Sequence, residues 1–109
     1  MLFISVEDFL TQVSAIPRLS RDEERSLAAK KAAGDSAAKE AIVEGYLYQV
    51  AAYLRRAPQQ IRTLHTLYAC VAALEKAVDR FDFLQDSETF THHLSWALRQ
   101  CITRCIAER

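Results

Sequence analysis

Apolar side chains recur along this chain at intervals of three and four residues, the spacing that places them on one face of an α-helix. Helix-start and helix-stop residues divide the pattern into five segments. The segments predicted as helices run from Ser5 to about Ile16, from Ser20 to Gly34, from Asp35 to about Arg56, from about Gln59 to Phe81, and from Ser87 to near Glu108. The pattern therefore predicts an all-α protein, a single five-helix bundle that occupies residues 1–109.

The predicted helix ends rest on capping residues. Ser5 with Asp8, and Ser20 with Glu23, have the spacing of a capping box, in which both side chains satisfy free backbone N–H groups at the start of a helix. Gly34 suits the left-handed backbone conformation that commonly ends a helix. These signals define the predicted ends of the first two helices.

The two C-terminal helices have the most distinctive apolar patterns. The fourth is apolar almost all round between Leu67 and Leu74, which predicts burial on every side or cover by a partner. The inward face predicted for the last helix consists of Phe90, Leu94, Ala97, Leu98, Cys101, Cys105 and Ile106.

Charge and composition limit the classes of function. Fourteen basic and fourteen acidic residues cancel, so no net positive field draws the protein onto nucleic acid or an anionic membrane. This balance argues against tight DNA binding by the isolated chain, because phosphate neutralisation supplies most non-specific affinity. The apolar start, residues 1–4, is interrupted at Glu7, so we predict no membrane association and a cytoplasmic protein.

No residue constellation predicts an enzyme, a cofactor or a metal site. The three cysteines, Cys70, Cys101 and Cys105, lack a second Cys/His pair at zinc-site spacing, so buried apolar thiols are the interpretation. His92 and His93 lack the acidic pattern of a metal helix. The carboxylates are dispersed along charged faces, and no Gly-rich phosphate loop is present.

Two late blocks carry a family resemblance. LEKAVDRFD (Leu74 to Asp82) and WALRQCITRCI (Trp96 to Ile106) resemble the primary-type sigma factors of bacterial RNA polymerase. Weaker matches precede them in the same order, at Ile16 to Glu24 and at Gly34 to Glu44. The resemblance implies the helical fold of the central sigma-factor domain, from region 1.2 to region 2, in a divergent form without the later promoter-reading domain.

The resemblance also implies where DNA would bind. In sigma factors the helix that carries the second block faces the upstream end of the minus-ten promoter element, and its Gln and Thr read the first base pair. The residues at the matching positions here are Phe90, Trp96, Arg99, Gln100, Thr103 and Arg104. Three family aromatics are replaced, by Glu88, His93 and Ala97. This predicts weaker strand opening, because stacking on an aromatic is worth about 1–3 kcal/mol per base.

A second implied surface docks core RNA polymerase. The family's docking helix aligns with residues 64–74, where its polar positions have become largely apolar here. The predicted polymerase or partner interface consists of Leu64, Leu67, Tyr68, Val71 and Leu74. The leading hypothesis is a sigma-like transcription protein that binds polymerase, promoter minus-ten DNA or both. The alternative is a protein-interaction module, a homodimer or a complex with another protein, that kept the scaffold and lost DNA binding.

Overall fold

The computed structural model describes residues 3–84 and 89–108, and the regular secondary structure in these ranges is entirely helical. The helices are α1 (Val6–Ser14), α2 (Arg21–Ala32), α3 (Ser36–Gly45), α4 (Leu47–Arg56), a 3₁₀ turn (Gln59–Ile61), α5 (Leu64–Arg80) and α6 (Phe90–Ala107). The all-α prediction is confirmed.

Both predicted N-cap residues cap their helices, but only α2 has a complete capping box, because the Asp8 carboxylate accepts from the Ile4 N–H and not from the Ser5 N–H. The Ser20 hydroxyl accepts from the Glu23 backbone N–H at 3.1 Å, and the Glu23 carboxylate accepts from the Ser20 N–H at 2.9 Å, which completes a capping box. The Ser5 hydroxyl accepts from the Asp8 N–H at 3.0 Å. Gly34 follows α2 with a φ of 94°, the left-handed conformation expected of it.

The predicted third helix is two helices, so the described part of the chain has six α-helices where the pattern predicted five. The helix ends at Gly45, and Tyr46 takes a non-helical φ of −110° before α4 begins at Leu47. Leu19 packs against Gly45 so closely that a Cβ there would lie 2.5 Å from the Leu19 Cγ. The break redirects the chain, so that α3 packs on α2 and α5 while α4 packs on α1, α5 and α6.

One apolar core joins α1, α3, α4, α5 and α6. Its fully buried large side chains are Phe9, Ile42, Leu47, Val50, Leu54, Leu67, Leu74, Val78, Leu94 and Leu98. Helix α2 contributes less, because Ala28 is its only buried residue. Leu27 is half-buried and packs against the core, and the Tyr46 hydroxyl donates a hydrogen bond to the Glu24 carboxylate.

Helix α6 differs from its prediction at both ends. The predicted cap Ser87 lies outside the described residues, and the Thr89 hydroxyl caps α6 by accepting from the His92 N–H at 3.3 Å. At the other end Ile106, predicted to face inward, is 46% exposed. It lies in the last turn of α6, where the core contact is made by Cys105 instead. Within residues 3–84 and 89–108, no helix has the length and apolar character needed to cross a membrane.

Candidate functional site

The exposed side of α6 carries five of the six residues predicted to contact DNA. Its buried side, formed by Phe90, Leu94, Leu98, Cys101 and Cys105, fixes the helix on the core. Trp96, Gln100 and Thr103 recur at helical spacing on the opposite side, and Trp96 is 62% exposed. Arg99 and Arg104 flank this row and are also exposed. The helix thus presents one large aromatic, two guanidinium groups and two neutral polar groups on a single face.

Phe90, the sixth residue predicted to contact DNA, is buried in the core, where DNA would not reach it. Its side chain is 4% exposed. The ring packs on Tyr46 at 4.7 Å, on Phe83 at 4.8 Å and on Phe81 at 5.3 Å between centroids. The contacts with Tyr46 and Phe81 are edge-on, an arrangement that stabilises aromatic clusters. Phe90 therefore packs the start of α6 against the core.

The predicted partner surface on α5 is only partly accessible. Leu67 and Leu74 are fully buried, so their apolar character serves the core. Leu64, Tyr68 and Val71 are half-buried. The Tyr68 hydroxyl is also bound internally: it accepts from the Phe3 N–H at 2.9 Å and donates to the Phe3 carbonyl at 3.2 Å. An interface on α5 would have to use the residues that remain outside, such as His65 and Ala72, which are exposed.

A groove of about 570 Å³ runs between α5 and α6. Small side chains line much of it: Ala69, Ala72, Ala73, Ala77 and Ala97. Trp96, Gln100 and Arg104 border it from α6, and Lys76 and Arg80 border it from α5. Glu108 is the only acidic side chain among the described residues that line it. The groove is therefore locally positive on a chain with no net charge.

The two groove cations on α5 were missed as functional candidates. Lys76 and Arg80 are four residues apart, which places them on one side of a helix. That spacing was visible in the sequence. The sequence did not show which neighbouring helix this side faces, because that depends on how α5 and α6 cross.

Comparison with known proteins bears on what this site does. Residues 5–37 match the family described as Sigma-70 factor, region 1.2. Over 97% of its length the chain is 31% identical to the RNA polymerase sigma factor SigA of Clostridium acetobutylicum, and over 95% it is 32% identical to SigA of Listeria monocytogenes. The chain is sigma-factor-like. It spans less than a third of the length of these relatives, 29% and 28% respectively.

In this sigma-factor-like chain, two of the three positions at which a family aromatic is expected to be replaced, His93 and Ala97, line the groove. The third, Glu88, lies outside the described residues. His93 is half-buried, and its ring packs against Phe81 at 5.3 Å between centroids. Ala97 lies one residue after Trp96 and adds little to the groove wall. Trp96 is thus the only Trp, Tyr or Phe side chain among the described residues that line the groove.

A second cleft, of about 500 Å³, lies between α1, α4 and the start of α6, and the sequence-based candidates did not include it. Gln49 lies at its base and is 6% exposed. Its Nε2 donates to the Thr91 carbonyl and to the Ser95 Oγ, both at 3.0 Å. Its Oε1 has no partner among the described residues. Buried acceptors are normally hydrogen-bonded, so this unpaired buried oxygen is an exception within the described residues.

The rim of this cleft is basic and aromatic. The Arg18 guanidinium lies 4.1 Å from the centre of the Tyr48 ring, a cation–π contact, and Arg55, Arg56 and Tyr53 also line the cleft. The start of α4, which forms one wall of this cleft, had no functional prediction from the sequence. Its burial next to α6 depends on the break at Gly45, which periodicity did not predict.

No group of three or more His, Cys, Asp or Glu side chains within residues 3–84 and 89–108 is arranged to hold a metal ion.

Proposed function

We propose that this chain acts in transcription as a sigma-like, non-catalytic protein of the cytoplasm that binds core RNA polymerase and contacts minus-ten promoter DNA through the exposed face of α6. The observation that carries the proposal is the grouping of Trp96, Arg99, Gln100, Thr103 and Arg104 on one exposed side of a helix whose sequence resembles the sigma-factor helix.

The side chains on this face suit two different kinds of contact. Gln100 can make paired hydrogen bonds to the edge of an adenine in the major groove, which discriminates between base pairs. Arg99 and Arg104 suit phosphates, which position the protein without reading sequence. The groove cations Lys76 and Arg80 extend the positive surface beside Arg104. The Gln49 cleft adds a buried acceptor and a tyrosine-lined wall next to the start of α6.

The DNA part of the proposal is tested in a complex with core RNA polymerase on promoter probes of varied minus-ten sequence. We expect Arg104→Ala to weaken all probes alike and to reduce the salt dependence of log K by about 1, as for a lost phosphate contact. We expect Gln100→Ala to remove about 1–3 kcal/mol of discrimination at one base pair. Arg25→Ala, on the exposed surface of α2, is the matched control. Equal behaviour of all three variants would refute DNA contact by α6.

The polymerase part requires a variant that leaves the core intact. Leu67→Asp is unsuitable, because Leu67 is fully buried and its replacement would unfold the bundle. Ala72→Glu changes an exposed position on α5, and Ala29→Glu makes the same change at an exposed position on α2. We expect tagged protein to recover core polymerase from its host, with recovery lost in Ala72→Glu and kept in Ala29→Glu. Retention in both variants would exclude this side of α5 as the docking surface.

Failure of the unmodified protein to recover polymerase would favour the alternative, a homodimer or another protein partner. The half-buried residues Tyr68 and Val71 line a separate depression of about 540 Å³ between α3 and α5, where a second copy could pack. A solution mass that rises with protein concentration, and falls back in Val71→Asp, would support that function.

A further inference from the structure

Three thiols cluster between α5 and α6. Cys70 on α5 is fully buried, and Cys101 and Cys105 on α6 are 3% and 6% exposed. The sulfurs of Cys70 and Cys101 lie 3.8 Å apart, although the residues are 31 positions apart in sequence. A disulfide bond is about 2.05 Å long, so the two sulfurs are in van der Waals contact without being bonded.

The two thiols of this pair are not equally accessible. Cys101 is among the residues that line the groove between α5 and α6, and Cys70 is not. Much of the groove lining is alanine, so no long side chain from those positions covers Cys101. A small reagent that enters the groove therefore meets Cys101 first and finds Cys70 behind it.

The surroundings also favour Cys101 as the reactive member. The S–H of Cys70 donates to the Cys101 sulfur. That hydrogen bond lowers the pKa of the Cys101 thiol below its ordinary value, and the positive charge of Arg104 acts in the same direction, while burial opposes both. The same hydrogen bond and burial raise the pKa of the Cys70 thiol. Since the thiolate is the nucleophile in disulfide exchange, Cys101 is suited to attack first.

We propose that Cys101 and Cys70 form a redox-active pair that a low-molecular-weight disulfide converts into a disulfide bond between α5 and α6. The Cys101 thiolate attacks the reagent disulfide, forms a mixed disulfide and releases one thiolate of the reagent. Cys70 then loses its proton and attacks the Cys101 sulfur, which expels the second reagent thiolate. The two cysteines lose two electrons and two protons in total, and the reagent gains them as two thiols.

Cys105 is the internal control for this chemistry. It is buried in the same cluster but lies on the same helix as Cys101, four residues further along. A bond between those two would not link two helices. A bond between Cys70 and Cys101 would fix α5 against α6 beneath the groove, whatever binds in it, so the proposal does not depend on the function proposed above.

The test treats the full chain with glutathione disulfide and maps its products by mass spectrometry. We expect a peptide pair joined through Cys70 and Cys101, a mass lowered by two hydrogen atoms, and the same product in Cys105→Ala. Cys70→Ala should stop at the mixed disulfide on Cys101, and Cys101→Ala should form neither product. Stable glutathione on Cys101 without a cross-link in the unmodified chain, or a cross-link lost in Cys105→Ala, would overturn the proposal.

The dependence of the oxidation rate on urea concentration distinguishes reaction of the folded protein from reaction of the unfolded protein. We expect the oxidation rate to stay constant across urea concentrations at which the protein remains folded, because Cys101 is reached through the groove. A rate that rises in proportion to the unfolded fraction would overturn the proposal, since any buried thiol would then react equally. Oxidised protein should also unfold at a higher urea concentration than reduced protein, because the cross-link restricts the unfolded chain.

Discussion

Capping side chains fix where the first helices begin. The reciprocal bonds between Ser20 and Glu23 satisfy backbone groups that α2 would otherwise leave free. We expect Ser20→Ala to lower the free energy of unfolding by about 1 kcal/mol, as for other lost N-caps. Urea unfolding followed by circular dichroism measures it, with Ser26→Ala, at an exposed position inside α2, as the control. Equal stability of the two variants would contradict the prediction.

The carboxylates of Glu23 and Asp8 make the free energy of unfolding depend on pH. The Ser20 backbone N–H, and then its side chain, hold the pKa of Glu23 below its usual 4.5. The Gln12 side-chain amide, and then the Ile4 N–H, lower the pKa of Asp8 in the same way. A carboxyl group with a lowered folded-state pKa stabilises the fold above its unfolded-state pKa, and the contribution disappears as the pH falls through the folded-state value.

We therefore expect the free energy of unfolding to fall as the pH drops below about 4.5, and to fall less steeply in Glu23→Gln. Urea titrations at pH 6 and at successive pH values below 4.5 measure the difference between the two proteins. An identical pH dependence in both would show that Glu23 binds its proton equally in the folded and unfolded states.

Gly45 is a position where the absence of a side chain matters. A Cβ there would meet the Leu19 side chain at 2.5 Å and 2.6 Å. We expect Gly45→Ala to cost about 1–3 kcal/mol through overpacking. The double variant Leu19→Ala/Gly45→Ala should lose less than the sum of the single variants, because the first change removes the atoms that clash. Strict additivity in urea unfolding would argue that the two residues do not contact.

At the scale of elements, helix α5 has one side buried in the core and another side that is only half-buried. Leu67 is fully buried, and Val71, one turn later, is half-buried. We expect Leu67→Ala to cost about 2–5 kcal/mol, and Val71→Ala much less, because Val71 leaves a smaller cavity. Thermal unfolding compares the two. A similar loss for both would mean that the outer side of α5 is packed as tightly as its inner side.

The outcome for each element shows what sequence patterns can predict. Caps are local, so Ser20, Glu23 and Gly34 were identifiable from spacing alone. The break at Gly45 was not, because the apolar stripe continues at the same spacing on both sides of it and the contact with Leu19 is long-range. Phe90 shows a related limit: an aromatic at a helix start suits a core or a stacking surface equally well until its neighbours are known.

At the scale of the whole molecule, charge is balanced in total and uneven in position. Fourteen basic and fourteen acidic residues cancel, yet Arg99, Arg104, Lys76 and Arg80 lie along α6 and the groove beside it. Each phosphate neutralised contributes about −0.9 to the slope of log K against log salt. Four cations therefore limit that slope to about −3.6, and the remaining residues, which carry more acidic than basic groups, add no attraction.

We therefore expect the isolated chain to bind duplex DNA weakly even at low salt, with a shallow salt dependence. Fluorescence anisotropy of a labelled promoter duplex, repeated at several salt concentrations, measures both the affinity and the slope. Arg104→Glu should abolish the residual binding, because it both removes a cation and adds an anion at the groove, whereas Arg25→Glu on α2 should reduce it less. Tight and sequence-selective duplex binding by the isolated chain would contradict this expectation, and a slope well beyond four would require cations outside α6 and the groove. Weak binding by the isolated chain would agree with the proposed function, in which core RNA polymerase supplies most of the phosphate contacts.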